Sequence, residues 1–482
     1  MIVELSAAYV CLHVGFKLAL PDGREPLSTT GLRASLLPMA CGVLLCLASV
    51  AAAAAPGGVE PGTTGSATAA PAAAGSPQPP AERLQAVEDF LASSTDARGY
   101  LGAVSLVMAD GKVVQSGAYG HRDLHRASPM REDSIFRVYS MTKTVTTVAV
   151  LILVEEGRLS LDAPIDRYLP EFSGLQRFKG GSADAPQLGP AGSRPSLRHL
   201  LTHTAGFATA SNEEATRLLE RADLHGSADL AEFSRRLARL PLAVEPGTRF
   251  NYDGTQIEVA ARLVEVASGQ DFEAFVQQRI LAPLRMVDTG FQVPVDQRGR
   301  IVDLTVMGAD GRLLLDQSRS ALHPGERLNP YPGGAGGLYS TAPDFLRFCR
   351  MLLEGGSLDG VSILKPETVA QMWVNQLTFL QTPVTEFSDA EGFGLGGAVL
   401  LDPARKGRLG AAGQFGWSGA ASTYFSIDPT QRTISILLLQ HLPNGAANDL
   451  PRIGTPFYNL VQQALFQAGP LQQAPLQQVP VR

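Results

Sequence analysis

SMTKTVTTVAVLILVEEGRL, residues 140–159, is the stretch on which the fold turns. Between Lys143 and Glu155 it holds only Thr, Val, Ala, Leu and Ile. The pattern predicts a long helix without a solvent face, at the centre of a large domain. Ser140 and Lys143 stand three apart, so on a helix they share a face about one turn from each other. A hydroxyl then lies beside an amine able to take its proton, with no histidine required. Unpaired N–H groups and the positive dipole end at the helix start favour a developing anion there. The spacing alone arises by chance about once in a chain of this length. Its bland reading is a serine cap followed by an exposed helical lysine. The surrounding sequence decides between the two.

Toward the N-terminus, AERLQAVEDFLAS predicts a helix. GAVSLVMADGKVVQSGAYG predicts two apolar strands turning at Asp110-Gly111. Toward the C-terminus, RPSLRHLLTHTAGF predicts an apolar helix ending in a glycine turn, and TQIEVAARLVEVASG a second helix closed by Gly269. FEAFVQQRILAPL follows, then a loop-rich region over 291–337 that ends in Gly333-Gly334-Ala335-Gly336-Gly337. APDFLRFCRMLLEGG is another amphipathic helix. STYFSIDP and TISILLLQHLP read as strands, and PFYNLVQQALFQ as a last helix. The expected fold is α+β, an α/β sandwich. Its antiparallel sheet is shared by N- and C-terminal strands, with an all-helical block inserted between them.

The 482 residues carry a net charge of −6, with 45% hydrophobic and 18% charged side chains. This is globular composition without the basic footprint of a nucleic-acid binder. Of the four cysteines, Cys11, Cys41 and Cys46 lie near the N-terminus. Cys349 is then alone in the folded part, which excludes a disulfide or a cysteine metal site there. H-E-x-x-H, Walker A and G-x-S-x-G motifs are all missing. No metal and no cofactor are expected.

Residues 34–59 hold no charge, and LLPMACGVLLCLASVAAAAA within them is almost wholly apolar. Arg33 before it and small residues at 51–55 give it the form of a secretory signal. Its depth in the chain suggests a start downstream of Met1. The alternative is an uncleaved membrane anchor over 34–55. The domains expected are an N-terminal extension with signal or anchor (1–55), an Ala/Pro/Gly linker (56–81), a main globular domain (82–468) and a loose tail (469–482). The protein is expected to be exported, periplasmic or secreted, touching a membrane only through an uncleaved N-terminal segment.

Further features join the Ser-x-x-Lys spacing. Arg249-Phe250-Asn251-Tyr252-Asp253 puts a tyrosine at a loop-to-helix junction. Gly413-Gln414-Phe415-Gly416-Trp417-Ser418-Gly419-Ala420 precedes a strand. With RHLLTHTAGF, EPGTRFNYDGTQIEVAARLVEVASGQ and GGAGGLYSTAPDFLRFCRMLLEGG in the same order, residues 84–467 resemble the serine β-lactamase and penicillin-binding-protein superfamily. Within it they resemble the class C β-lactamase-like esterases, family VIII. The resemblance implies that Ser140 is the nucleophile, Lys143 its base partner and Tyr252 a proton shuttle. It implies a third motif at Trp417-Ser418-Gly419 lining the cleft. It also implies an oxyanion hole from the backbone N–H groups of Ser140 and Ala420.

Two departures from the superfamily's pattern bear on substrate. The third residue of its Y-x-N motif is Gly254 here, and its third motif begins with Trp417 in place of lysine. Those two side chains hold the amide and carboxylate of a β-lactam in the superfamily, so their loss implies a neutral acyl substrate. The reading is a serine hydrolase cleaving small carboxylic esters through an acyl-enzyme. The alternatives are a β-lactamase, D-amino-acid peptidase or amidase on the same machinery, or a non-catalytic binder of cell-wall fragments. His199 and His203 lack a partner at ligand spacing and read as structural hydrogen-bonders. His441 reads as a rim histidine. The glycines at 333–337, with no G-K-[ST] after them, read as a tight loop leading into a helix.

Overall fold

The computed structural model describes residues 81–207, 213–380, 385 and 387–466. The expected signal or anchor, all of the linker except Ala81, and the C-terminal tail lie outside the described residues. Among those described, no helix is long and apolar enough to cross a membrane.

Helix α1 (Ala81–Ser94) leads into strands β1 (Gly102–Ala109) and β2 (Lys112–Gly120). Asp110 and Gly111 have φ of 46° and 77°, the left-handed pair that matches a hairpin turn to the twist of its strands. The inserted part contains α2 (Thr142–Glu155), α3 (Gly254–Ser268) and α4 (Ala342–Leu353). The chain then returns through β3 (Glu391–Phe393), β4 (Ala398–Leu400), β5 (Phe415–Gly419), β6 (Thr423–Asp428) and β7 (Thr433–Leu438), and closes with α5 (Gly454–Phe466). The sheet order is β3-β4-β5-β6-β7-β1-β2, antiparallel throughout. N- and C-terminal strands therefore do share one sheet, joined where β1 pairs with β7.

Alternation along β1 builds the layers. Val104, Leu106 and Met108 join Ile434, Ile436 and Leu438 in the main core with α2 and α4. Ala103 and Val107 face the other way, onto Val87 and Leu91 of α1 and Phe457 and Val461 of α5. With a period of two, one strand serves both faces. Helix α2 is buried from Thr142 to Leu153, as its lack of a polar face requires. Its threonine hydroxyls must then find partners inside. Thr144 Oγ1 donates to the Gly396 carbonyl at 2.8 Å, and Thr146 Oγ1 to the Gly334 carbonyl at 2.7 Å. These bonds tie loops from both flanks onto the central helix.

Some elements differ from expectation. The helix in RPSLRHLLTHTAGF spans only Leu197–Leu201, because His203 and Gly206 take φ of 54° and 85° and turn the chain out. FEAFVQQRILAPL gives an α-helix over Phe272–Val276 and then a π-turn over Gln277–Leu281. The region 291–337 contains a small strand pair, Thr305–Met307 with Leu313–Leu315. The inserted block is not all helical either: Gln176–Ser182 and Ala185–Pro190 form a hairpin within it. Its glycines and prolines hide any period-two pattern.

Candidate active site

Ser140 sits in a 3₁₀ turn, Tyr139–Met141, just ahead of α2. Tyr139 has φ of 43°, a left-handed conformation that costs a residue with a Cβ about 1–2 kcal/mol. The turn is held from outside. Tyr139 and Ala420 pack against one small cluster of Leu304, Ala321, Ala421 and Leu442. Gly419, at the end of β5, lies against the Val138 carbonyl so closely that a Cβ there would collide with it. The end of the third motif is thus brought beside the backbone that leads into Ser140.

Lys143, one turn on, is 4% exposed. Its Nζ donates to Ser140 Oγ at 3.0 Å and to the Ala335 carbonyl at 2.7 Å. Two acceptors fix a side chain that would otherwise be mobile. The Ala335 carbonyl comes from the glycine loop, which is tight because the Gly337 amide donates back to the Gly333 carbonyl at 2.8 Å. Glu258 of α3 holds that loop from behind. Its Oε2 accepts from the Gly334 amide at 2.7 Å and its Oε1 from the Ala335 amide at 3.3 Å.

Burial pushes the Glu258 carboxyl up to about 7, while the two amides and the Lys143 charge pull it back down. Its folded value lies above the usual carboxylate value of 4.5. The stability linked to this group is therefore present in acid and lost as pH rises through about 7.

Tyr252 ends the loop before α3. The Asp253 carboxylate caps that helix by accepting from the Thr255 amide at 2.7 Å. Lys143 Nζ lies 4.9 Å from the centre of the Tyr252 ring. Trp417 Nε1 donates to the Tyr252 hydroxyl at 2.9 Å, and the two rings are 5.0 Å apart. His203 supports this loop. Its Nδ1 accepts from the Asp253 amide at 3.3 Å, its carbonyl accepts from Asn251 N–H at 2.8 Å, and its ring lies 4.6 Å from that of Tyr252. Burial, and next the Lys143 charge, push His203 well below the usual histidine value, so it stays neutral. Phe250, Phe387 and Phe393 pack with Tyr252 and Trp417, making one wall of the site aromatic.

Comparisons with known proteins identify the family. The family model described as Beta-lactamase matches residues 85–454. The chain belongs to the beta-lactamase family. It is 31% identical to Esterase EstB of Burkholderia gladioli over 74% of this chain and 90% of that protein. It is 35% identical to protein Rv1367c of Mycobacterium tuberculosis over 72% of this chain and 88% of that one. The structure of simvastatin synthase from Aspergillus terreus superposes with a TM-score of 0.68 at 25% identity, covering 81% of this chain and all of that one. The protein is a serine hydrolase of this family with a beta-lactamase-like α+β fold.

Ser140, Lys143, Tyr252 and Trp417 therefore converge, and Gly419 and Ala420 adjoin the Ser140 turn. Ser418 is exposed on β5. Gly254 presents no side chain to the site; a Cβ there would touch Ala335 Cβ at 3.4 Å. His199 takes a structural role, its Nδ1 accepting from the Ser196 amide at 3.2 Å in a capping box. His441 is not at a rim. It is 1% exposed, with Nε2 2.8 Å from Asp449 Oδ1 and Nδ1 3.1 Å from Thr305 Oγ1. Its backbone bridges to Thr305 and draws it inward from the end of β7. Among the described residues, no cluster of His, Cys, Asp and Glu is arranged to hold a metal. Two contributors escaped the sequence reading. The Ala335 carbonyl leaves no trace in side-chain identity. Glu258 had one: a carboxylate set among Ile257, Ala260 and Ala261 on a buried helix.

Proposed function

We propose that this protein cleaves carboxylic esters through an acyl-enzyme on a Ser140–Lys143–Tyr252 centre. The observation that carries the reading is Lys143 Nζ, 3.0 Å from Ser140 Oγ and held in place by the Ala335 carbonyl at 2.7 Å. Lys143, in its neutral form, takes the Ser140 proton as Oγ attacks the ester carbonyl. The tetrahedral oxyanion is received by the N–H groups of Ser140 and Ala420. Tyr252, oriented by Trp417, relays the proton to the leaving alkoxide, and the alcohol departs. Water then attacks the acyl-Ser140 ester, and the free acid leaves. Intact-mass detection of an acyl adduct across a small panel of esters tests this sequence. An adduct on Ser140 is expected, and turnover without one would refute it.

Lys143→Ala and Tyr252→Phe are each expected to lower kcat at least about a hundredfold, the usual scale for a proton-transfer group, with smaller changes in KM. Steady-state kinetics on a p-nitrophenyl ester measures this. A Tyr252→Phe enzyme within about twofold of wild type removes Tyr252 from the mechanism.

Acyl transfer to an alcohol is the second reading. It is supported by the aromatic wall of Tyr252, Trp417, Phe387 and Phe393, which suits an apolar acceptor better than water. The similarity to a simvastatin synthase points the same way. Adding a primary alcohol to the ester assay separates the two, since transfer yields a new ester and hydrolysis only the acid.

Residues 34–55 are proposed as an export signal, on the strength of their charge-free apolar run. N-terminal sequencing of protein recovered from its native host is expected to find a start just after residues 51–55. Recovery with residues 34–55 intact would favour the anchor.

A further inference from the structure

The proposed mechanism leaves Glu258 without a task. It is 1% exposed, and among the described residues no ion pair involves it. Among the described residues, Lys143 is the one charged group acting on its carboxyl; burial first, and then the Glu258 charge, raises the Tyr331 phenol. A carboxyl buried without a paired cation is costly to keep. A leucine or glutamine on this face of α3 would cost less, so the carboxylate's geometry offers the reason for its presence. Both its oxygens are spent on consecutive amides, those of Gly334 and Ala335. The carbonyl of the second of these residues is the acceptor that holds Lys143 Nζ.

The loop is clamped from two more directions. Thr146 Oγ1, on α2, donates to the Gly334 carbonyl at 2.7 Å. A Cβ on Gly334 would stand 2.7 Å from Ala261 Cβ, one turn along α3 from Glu258. Glycine at 334 thus lets the loop settle onto α3 closely enough for the carboxylate to reach its amides.

We propose that Glu258 is a positioning residue for the reaction, setting the Ala335 carbonyl through the amides of Gly334 and Ala335 so that Lys143 Nζ is held against Ser140 Oγ. The inference rests on the reading of Lys143 as the base that activates Ser140. The path runs from carboxylate to amide, from the Ala335 carbonyl to the amine, and from the amine to the hydroxyl. Glu258 lies outside hydrogen-bonding contact with Ser140 and acts through the loop. Losing a carboxylate oxygen frees one amide and lets the carbonyl swing. A displacement of about 1 Å between reacting groups can cost on the order of a hundredfold.

Glu258→Gln tests this. Glutamine keeps the size of the side chain but presents an NH₂ to one of the two amides. The expected kcat on p-nitrophenyl butyrate falls about ten- to a hundredfold, with KM within about threefold. Labelling of Ser140 by a fluorophosphonate is expected to slow by the same factor, because the probe reports activation of the serine without deacylation. Glu258→Asp, which retains the charge but not the reach, is expected to fall between. It also serves as the test variant if Glu258→Gln does not fold. In the pH profile of kcat/KM, the ionisation near pH 7 that belongs to the Glu258 carboxyl is expected to vanish in Glu258→Gln.

A merely structural role would lower the melting temperature while labelling rate and kcat per labelled site stayed within twofold of wild type. That result overturns the proposal and leaves the Ser140–Lys143 reading intact. Wild-type protein that resists the fluorophosphonate altogether overturns that reading, and the positioning role with it.

Discussion

Ser140→Ala is expected to lower kcat by on the order of 10⁶, the scale reached when the nucleophile of a serine hydrolase is removed, and to abolish fluorophosphonate labelling. Among the described residues, Ser140 Oγ is the one side-chain hydroxyl hydrogen-bonded to Lys143 Nζ. Lys143 Nζ, at 3.0 Å, has only Ser140 Oγ and the Ala335 carbonyl as acceptors among its described bonds. Thr142, the nearest aliphatic hydroxyl along the chain, is fully buried, and its Oγ1 accepts from the Leu338 amide at 3.2 Å. Folding should survive the change. The alanine loses one hydrogen bond, worth about 1 kcal/mol, and Lys143 keeps the Ala335 carbonyl. A fall in melting temperature of no more than about 3 °C is expected. Kinetics, labelling and thermal unfolding on one preparation check the three parts together. Appreciable turnover in the pure, folded variant would falsify the nucleophile assignment.

The parts of this molecule that were legible in its sequence are those in which a local pattern and a tertiary role coincide. Strands β1 and β7 carry enough apolar residues to be read alone, and Asp110-Gly111 is sufficient to turn a hairpin. Helix α2 is so uniformly apolar that only a central position suits it. The Ser140–Lys143 pair follows from chain spacing. Even so, the serine lies in a 3₁₀ turn held by Tyr139 at φ 43°, a detail that no periodicity conveys. Strands of three residues such as β3 and β4 are too short to complete an alternating pattern.

The rest of the site was hidden for a different reason. Its bonds join segments far apart in the chain, and several end on backbone atoms. The Lys143–Ala335 bond and the Glu258 clamp belong to this class, because an amide or carbonyl looks the same in every residue. The resemblance places Trp417 in the motif that lines the cleft. Its indole N–H turned out to be committed to the Tyr252 hydroxyl, which makes the third motif part of the tyrosine's support as well as the wall of the cleft.

That commitment sharpens the second large effect. Small neutral esters are expected to be preferred over β-lactams by about 10²–10⁴ in kcat/KM. Nucleophile, base and oxyanion hole would serve either substrate, so the difference must arise in the pocket. A β-lactam carries a carboxylate and a side-chain amide into the cleft, and each loses free energy if it finds no partner there. Trp417 stands where the superfamily's lactam-binding members place an ammonium, and its single donor is occupied by Tyr252 at 2.9 Å. Gly254 stands where they place an amide. It offers no side chain to meet the substrate amide; a Cβ there would only reach van der Waals contact with that of Ala335, at 3.4 Å. Each missing bond costs roughly 1–3 kcal/mol, with the charged group toward the upper end. A short acyl ester needs neither bond and gains contact with the aromatic wall. Comparing p-nitrophenyl butyrate with nitrocefin on one preparation measures the ratio. Equal or better efficiency on nitrocefin would replace the esterase reading with the lactamase one. It would also mean that the carboxylate is met by a cation from outside the motifs considered.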